Sequence, residues 1–327
     1  MPTMSDNAAA SSSLPSVGVI GLGIMGSCYA RHLLEASFSV TGYDVSAERM
    51  ASFGQAGGQL ASSPGEVVQK SDVIVTALSS VAAFRSVMLG ADAATAHVRK
   101  GQLFIETGTL AIPLKEEARA QVEANGAGMV DATVTGTRVH AERRELVVYA
   151  SGTEADVAAA RPVIEAFAHD VRFVGPFGDG MKLKMVTNHL VAVHNVATAE
   201  ALSLARAAGL DLQLVYDLIS SGPATSGVFN FRGPLMVAGR YDAPTMRMDV
   251  FEKDIDVIDD FARGLHAATP LFQASSLVYR AALAQGIRAE DVSAVFEILS
   301  VLSGHNARAD GTAAQAPAGT GPRPRPR

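Results

Sequence analysis

Residues 16–30 read SVGVIGLGIMGSCYA, and this stretch decides the fold of the first half of the chain. Val17–Ile20 is a short apolar run rich in β-branched residues and bounded by turn formers, which reads as a buried strand. Residues 27–35 favour a helix. Between them stands Gly21-Leu22-Gly23-Ile24-Met25-Gly26, a G-x-G-x-x-G arrangement at a strand-to-helix junction. The first glycine allows a tight turn, the second lets backbone approach a pyrophosphate, and the third lets helix pack closely on strand. The helix start then presents free N–H groups and a positive dipole end to phosphate. Gly21, Leu22, Gly23, Ile24, Met25 and Gly26 are therefore the candidate cofactor loop.

Working outward, residues 38–43 read as a second strand with Asp44 at its end. That is the interval expected of a carboxylate that accepts hydrogen bonds from an adenosine ribose. Such an acid repels a 2′-phosphate, so NAD is favoured over NADP. Arg49 reads as a solvated residue near a helix start. Further strand-like runs lie at 72–78, 103–106, 129–132 and 146–150, and helical patterns separate the earlier ones. Alternation of this kind implies crossovers and a doubly wound parallel sheet, an α/β Rossmann domain. Leu78-Ser79 and Thr107-Gly108-Thr109 stand at strand ends, where such a sheet binds its ligand. Leu78, Ser79 and Thr109 are candidates to line the cofactor pocket.

The pattern changes after about residue 173. A turn cluster, VGPFGDG, precedes the segment 181–208, which has no Gly or Pro and carries apolar residues at helical spacing. The rest, to about 303, reads as helices with short connectors. The expected division is a Rossmann domain over 14–176 and an all-α domain over 177–305. Residues 1–13 lack an apolar or basic leader pattern, and 306–327 are Ala, Gly, Pro and Arg without periodicity; both are read as disordered.

On the long helix, Lys184 and Asn188 are four apart and share a face, while Lys182 and Lys184 point to nearly opposite sides. The preceding glycine cluster sets the first turns of this helix at the cleft between the domains. His189 and His194 are poorly spaced for a shared metal, and no other cluster has ligand spacing, so no metal is expected.

Bulk properties narrow the class. The chain has 327 residues, 48 % hydrophobic, with a net charge of −6. That charge draws it neither to nucleic acid nor to an anionic membrane, and no apolar run is long enough to span one. Its one cysteine, Cys28, falls in the first helix and reads as a small buried side chain. A single cysteine fits a reducing, cytoplasmic setting.

From about residue 17 to 302 the chain resembles the 3-hydroxyacid dehydrogenases, related to 3-hydroxyisobutyrate dehydrogenase and tartronate semialdehyde reductase within the 6-phosphogluconate dehydrogenase superfamily. Four motifs in order carry the resemblance: GLGIMG at 21–26; DATVTGT at 131–137, similar to the family's D-A-P-V-S-G-G substrate loop; GPFGDGMKLKMVTN at 175–188, similar to its G-x-x-G-x-G-x-x-x-K-x-x-x-N signature; and Lys253-Asp254, similar to its C-terminal K-D pair. The resemblance implies a catalytic role for Lys184 and a substrate-orienting role for Asn188. It implies that Thr135, Gly136 and Thr137 hold the substrate carboxylate, that Thr109 touches cofactor, and that Lys253 lies near the nicotinamide. It also implies a small hydroxy acid as substrate, and a homodimer or homotetramer formed through the helical domain.

The substrate loop departs from the pattern at Thr133, Thr135 and Thr137, and Leu78-Ser79 lacks the proline that many relatives carry there. The basic stretch 138–144 has two readings: Arg138 and His140 recognise a second anionic group on the substrate, or the stretch is a solvated loop. Two other functions are weighed against the dehydrogenase. Imine reductases share the architecture but usually lack a lysine at position 184. A non-catalytic dinucleotide-binding scaffold has no need of Lys184, Asn188 and Lys253 together.

Overall fold

The computed structural model describes residues 14–90 and 93–305, so both terminal stretches read as disordered lie outside the described residues. Along the chain run β1 (Val17–Ile20), α1 (Ile24–Glu35), β2 (Val40–Tyr43), α2 (Ala47–Gln55), β3 (Gln59–Leu60), α3 (Pro64–Lys70), β4 (Val73–Thr76), α4 (Val81–Phe84), β5 (Leu103–Glu106), α5 (Ile112–Ala124), β6 (Gly128–Thr135), α6 (Arg138–Glu142), β7 (Val147–Ser151), α7 (Glu154–Phe167) and β8 (Asp170–Gly175). Several helices start where a hydroxyl can cap them: Ser46, Ser63, Ser80 and Thr153 each accept a backbone N–H from the first turn.

The eight strands form one sheet in the order β3-β2-β1-β4-β5-β6-β7-β8. Strand order reverses on either side of β1, so a crevice opens beyond the carboxyl ends of β1 and β4. Alternate residues serve opposite layers. Val17, Val19, Val75, Ile105 and Val130 pack with Tyr29, Leu33 and Phe167 on one side. Ile20, Ile74, Phe104 and Met129 pack with Val67, Leu114 and Val122 on the other. A two-residue side-chain period between two helical layers is what a doubly wound sheet requires.

The sheet is mostly parallel, as the alternation of strands and helices implies, with one antiparallel pairing between β6 and β7, where Thr133 stands opposite Tyr149. The connection from Gly136 to Leu146 is too short for a parallel crossover, which needs a dozen or more residues. The short α6 turns the chain back instead. Strand β8, unmarked in the sequence, then pairs parallel with β7.

Among the described residues, everything after β8 is helical or connecting: α8 (Asp179–Ala207), α9 (Leu212–Ser220), α10 (Gly227–Ala238), α11 (Met248–Gly264), α12 (Pro270–Ala284), a short 3-10 turn (Val292–Ala294) and α13 (Val295–Leu302). The 29-residue α8 is the spine, with Met181, Met185, Ala192, Val196, Ala199 and Leu202 buried in the helical core. Its first turn also rests on the sheet. A Cβ at Gly180 would stand 2.6 Å from the Tyr149 carbonyl, so only glycine permits this approach. Among the described residues no helix is long and apolar enough to cross a membrane.

Candidate active site

The glycine loop lies at the crevice. Helix α1 begins at Ile24 with Gly23 as its N-cap, and no side chain caps its first turn. Its leading N–H groups are thus left for a ligand. Asp44, at the end of β2, accepts from Leu22 N at 2.8 Å through Oδ2 and from Ser46 N at 2.9 Å through Oδ1. Arg49 reaches the same carboxylate, Nη1 to Oδ2 3.4 Å, with more than half of its side chain exposed.

The glycines differ in what they serve. A Cβ on Gly26 would fall 1.8 Å from the Gly21 carbonyl, so packing of α1 against the turn forbids it. A Cβ on Gly23 would meet nothing nearer than Arg49 Nη1 at 3.8 Å. The folded chain leaves space there, which fits a group arriving from outside. The residues present therefore fit a dinucleotide.

From this loop a continuous set of contacts leads to the helical half. A Cβ on Gly21 would touch Leu78 Cδ2, so the two segments are in contact at the end of β4. Gly108 packs beneath the Leu78 carbonyl. Next to Gly108, the Thr109 carbonyl accepts a hydrogen bond from Lys253 Nζ of α11. Lys253 Nζ also pairs with Asp254 Oδ1 at 2.8 Å. The other carboxylate oxygen, Asp254 Oδ2, accepts from Asn188 Nδ2 of α8 at 3.0 Å, with both residues buried.

Lys184 stands one turn before Asn188, half-buried. Among the described residues its Nζ makes no hydrogen bond or ion pair. Burial pushes this amine below the ordinary lysine range; the Asp254 carboxylate opposes the shift, and the Lys253 ammonium adds to it. Such an amine can lose and regain a proton. Lys182, by contrast, pairs with Asp179 at 2.8 Å on the surface.

The β6 loop approaches from the sheet. Asp131 and Thr133 point toward α8: Asp131 Oδ2 accepts from Met181 N, and Thr133 Oγ1 donates to the Gly180 carbonyl, each at 2.9 Å. Thr135 follows on the same face, and its buried Oγ1 has no partner among the described residues. At Gly136, φ is +136° and a Cβ would meet Leu146 Cδ2 at 2.6 Å, so this loop needs glycine there. The Thr137 N–H donates to His140 Nδ1 at 3.1 Å. Of the basic stretch, Arg138 pairs with Glu142 at 2.7 Å on the surface, and Arg144 Nη2 donates to the Glu165 carbonyl. His140 alone faces inward, its ring 6.4 Å from that of Phe231 on α10.

Asp254 and the buried Lys115, Glu106 and Asp131 were not given roles from sequence. The adjacent Lys253-Asp254 pair was the signal for the first. Lys115 sits in a charged run like an ordinary surface residue, whereas Glu106 ends the apolar run 103–106 and Asp131 opens the motif at 131–137, and those positions were the available signals. No described group of three or more His, Cys, Asp or Glu residues could hold a metal.

Comparison with known proteins agrees with this geometry. A family model described as the NAD binding domain of 6-phosphogluconate dehydrogenase matches residues 16–175. Another, described as the NAD-binding of NADP-dependent 3-hydroxyisobutyrate dehydrogenase, matches 178–299. An L-threonate dehydrogenase of Cupriavidus necator is 33 % identical over 284 residues, covering 86 % of this chain and 95 % of its own. The mitochondrial 3-hydroxyisobutyrate dehydrogenase of Mus musculus is 32 % identical over 289 residues, 86 % of each. Among solved structures, a 3-hydroxyisobutyrate dehydrogenase from Salmonella typhimurium superposes with a TM-score of 0.79 at 32 % identity, over 86 % of this chain and 99 % of that one. The chain belongs to the 3-hydroxyacid dehydrogenase family, oxidoreductases that act on the CH–OH group of hydroxy acids with a nicotinamide dinucleotide.

Proposed function

We propose that this chain is an NAD-dependent dehydrogenase that interconverts a small 3-hydroxy acid and its semialdehyde or keto acid, with Lys184 as the general acid and base. The observation that carries the reading is the Lys184 amine: half-buried, unpartnered among the described residues, and depressed in pKa beside Asn188, Asp254 and Lys253.

When bound, the dinucleotide supplies hydride transfer at its nicotinamide ring. The chain supplies the rest. In oxidation, neutral Lys184 takes the hydroxyl proton as the hydride leaves carbon; in reduction, the ammonium returns a proton to the carbonyl oxygen. Asn188, fixed by Asp254, offers its remaining amide oxygen and N–H to the same hydroxyl. The Thr135 hydroxyl and the Gly136 N–H hold the substrate carboxylate, with Thr137 shaping the loop rather than donating its N–H. Gly21 to Gly26, Asp44, Leu78, Ser79, Thr109 and Lys253 form the cofactor side. Asp44 supports NAD over NADP, since a carboxylate repels a 2′-phosphate.

The same reading divides the chain into a sheet domain over 14–176 and a helical domain over 177–305, with the cleft between them. Exposed leucines on the helical half, such as Leu204, Leu218, Leu277 and Leu302, support a homodimer or homotetramer through that half. The test is NAD and NADP reduction by purified protein with a panel of 3-hydroxy acids, alongside reduction of cyclic imines. Turnover with a hydroxy acid that Lys184→Ala removes, while NAD still binds, is expected. Cofactor binding without turnover of any hydroxy acid would mark a scaffold, and turnover of imines alone would mark an imine reductase.

A further inference from the structure

Behind the cofactor end of the sheet lies a group of buried charges that the proton transfer does not use. Lys115 of α5 is fully buried, and its Nζ stands 2.6 Å from Glu106 Oε2, at the end of β5, and 2.6 Å from Asp131 Oδ1, on β6. Each carboxylate turns its second oxygen to a backbone N–H in a different segment. Glu106 Oε1 accepts from Gly108 at 2.9 Å, in the loop that ends at Thr109. Asp131 Oδ2 accepts from Met181 at 2.9 Å, three residues before Lys184, and from the Ser151 hydroxyl at 3.2 Å.

These links join the site contacts into a closed circuit. It runs from Lys115 through Glu106 to Gly108 and Thr109, across Lys253 and Asp254 to Asn188, back along α8 to Met181, and through Asp131 to Lys115. Lys184 sits on the α8 arc, between Asn188 and Met181, where the circuit enters and leaves that helix. We propose that Lys115 is a positioning residue: through Glu106 and Asp131 it fixes the loop carrying Thr109 and the helix carrying Lys184 relative to one another. The inference rests on the reading of Lys184 as the proton-transferring group.

Stability alone is a weak reason for such a triad. Apolar side chains of similar volume often stabilise a core as well as buried ions do, and burying each ion is expensive. What the triad adds is direction. One amine holds two carboxylates in fixed orientations, and each orientation is read by a backbone N–H on a segment that faces the cleft. Misplacement of reacting groups by about 1 Å can lower a rate by about 100-fold, so fixing the gap between loop and helix bears on turnover. Burial pushes the Glu106 carboxyl up, against the pull of Lys115.

Two isosteric variants test the two arms, each leaving Lys115 one carboxylate partner. Glu106→Gln releases the cofactor loop from Lys115, and its expected effect is NAD binding weakened by about tenfold in calorimetry, with kcat at saturating NAD also lowered. Asp131→Asn loosens only α8, and is expected to lower kcat by about tenfold with the NAD affinity unaltered. Should Glu106→Gln accumulate unfolded, Glu106→Asp keeps the charge but withdraws it from Gly108, and the same loss of NAD affinity is expected. Variants that lose thermal stability yet keep the wild-type NAD affinity and kcat per folded molecule would reduce the triad to a structural feature and overturn the proposal. The calorimetric arm stands apart from turnover: a wild-type protein inactive on every hydroxy acid would sink the reading of Lys184, while Glu106→Gln would still report on the Lys115 link.

Discussion

Asn188 and Asp254 join α8 to α11, Nδ2 donating to Oδ2 at 3.0 Å with both side chains buried. This bond places a carboxylate beside Lys184 while Lys253, one residue before it, places a cation there too. The two act on the Lys184 amine with opposite sign: Asp254 raises its pKa and Lys253 lowers it. Oxidation needs the neutral amine, so its rate rises with pH through that pKa. Asp254→Asn is therefore expected to move the rising limb of the kcat–pH profile to lower pH, and Lys253→Met to higher pH. Steady-state oxidation rates across the pH range decide it; shifts in the same direction would refute the electrostatic account.

Lys184→Met is expected to trade activity for stability. Loss of a general acid–base group lowers turnover by about 10²–10⁴-fold. On stability, the folded-state pKa lies below the unfolded value, so the unfolded chain holds this proton more tightly. The resulting penalty is full below the folded-state pKa, fades as pH rises from there toward the unfolded lysine pKa of about 10.4, and is gone above it. Methionine removes the penalty. Its Tm should exceed that of the wild type near pH 7, and the gap should narrow toward pH 10.5. An equal or lower Tm at neutral pH would show that the amine is not strained by burial.

These residues also mark how much the sequence disclosed. Val17–Ile20 and Leu103–Glu106 announced themselves as strands because each is a buried apolar run bounded by turn formers. Lys184 and Asn188 were visible because an i,i+4 pair shares a face, and that relation needs no tertiary information. The reversal of β7 was not visible, because strand direction leaves no local periodicity. Strand β8 escaped notice because Arg172 interrupts its short apolar run just before the turn cluster VGPFGDG. The Lys115 triad was hidden for a different reason. Its members come from β5, α5 and β6, and Lys115 sits in the charged run LKEEAR, where a lysine is expected on the surface. Only the fold turns that lysine inward.

Gly23 and Gly26 separate cofactor binding from folding. Gly23→Ala has room beside Arg49 Nη1 and an ordinary φ of −68°, so it should fold with a Tm near that of the wild type. Its added methyl fills the space left for a pyrophosphate, and the NAD dissociation constant should rise by at least about tenfold, or about 1.4 kcal/mol. Gly26→Ala drives a methyl into the Gly21 carbonyl and should impair folding itself. Thermal unfolding and calorimetry on both variants test this pair. An unchanged NAD affinity in Gly23→Ala would dissociate the loop from the cofactor.

Asp44 offers the last test, of cofactor choice. Its two oxygens are held by Leu22 N and Ser46 N, and the Arg49 guanidinium lies 3.4 Å away. Asp44→Asn retains an oxygen for Leu22 while removing the negative charge that repels a 2′-phosphate. It also frees Arg49, more than half exposed, to meet that phosphate. The ratio of kcat/KM for NADP to that for NAD should rise by about tenfold or more, since hydrogen bonds to charged groups contribute about 1.5–3 kcal/mol. Both constants fall out of steady-state assays with each dinucleotide. If the ratio stays fixed, selection between the two cofactors lies with groups other than Asp44 and Arg49.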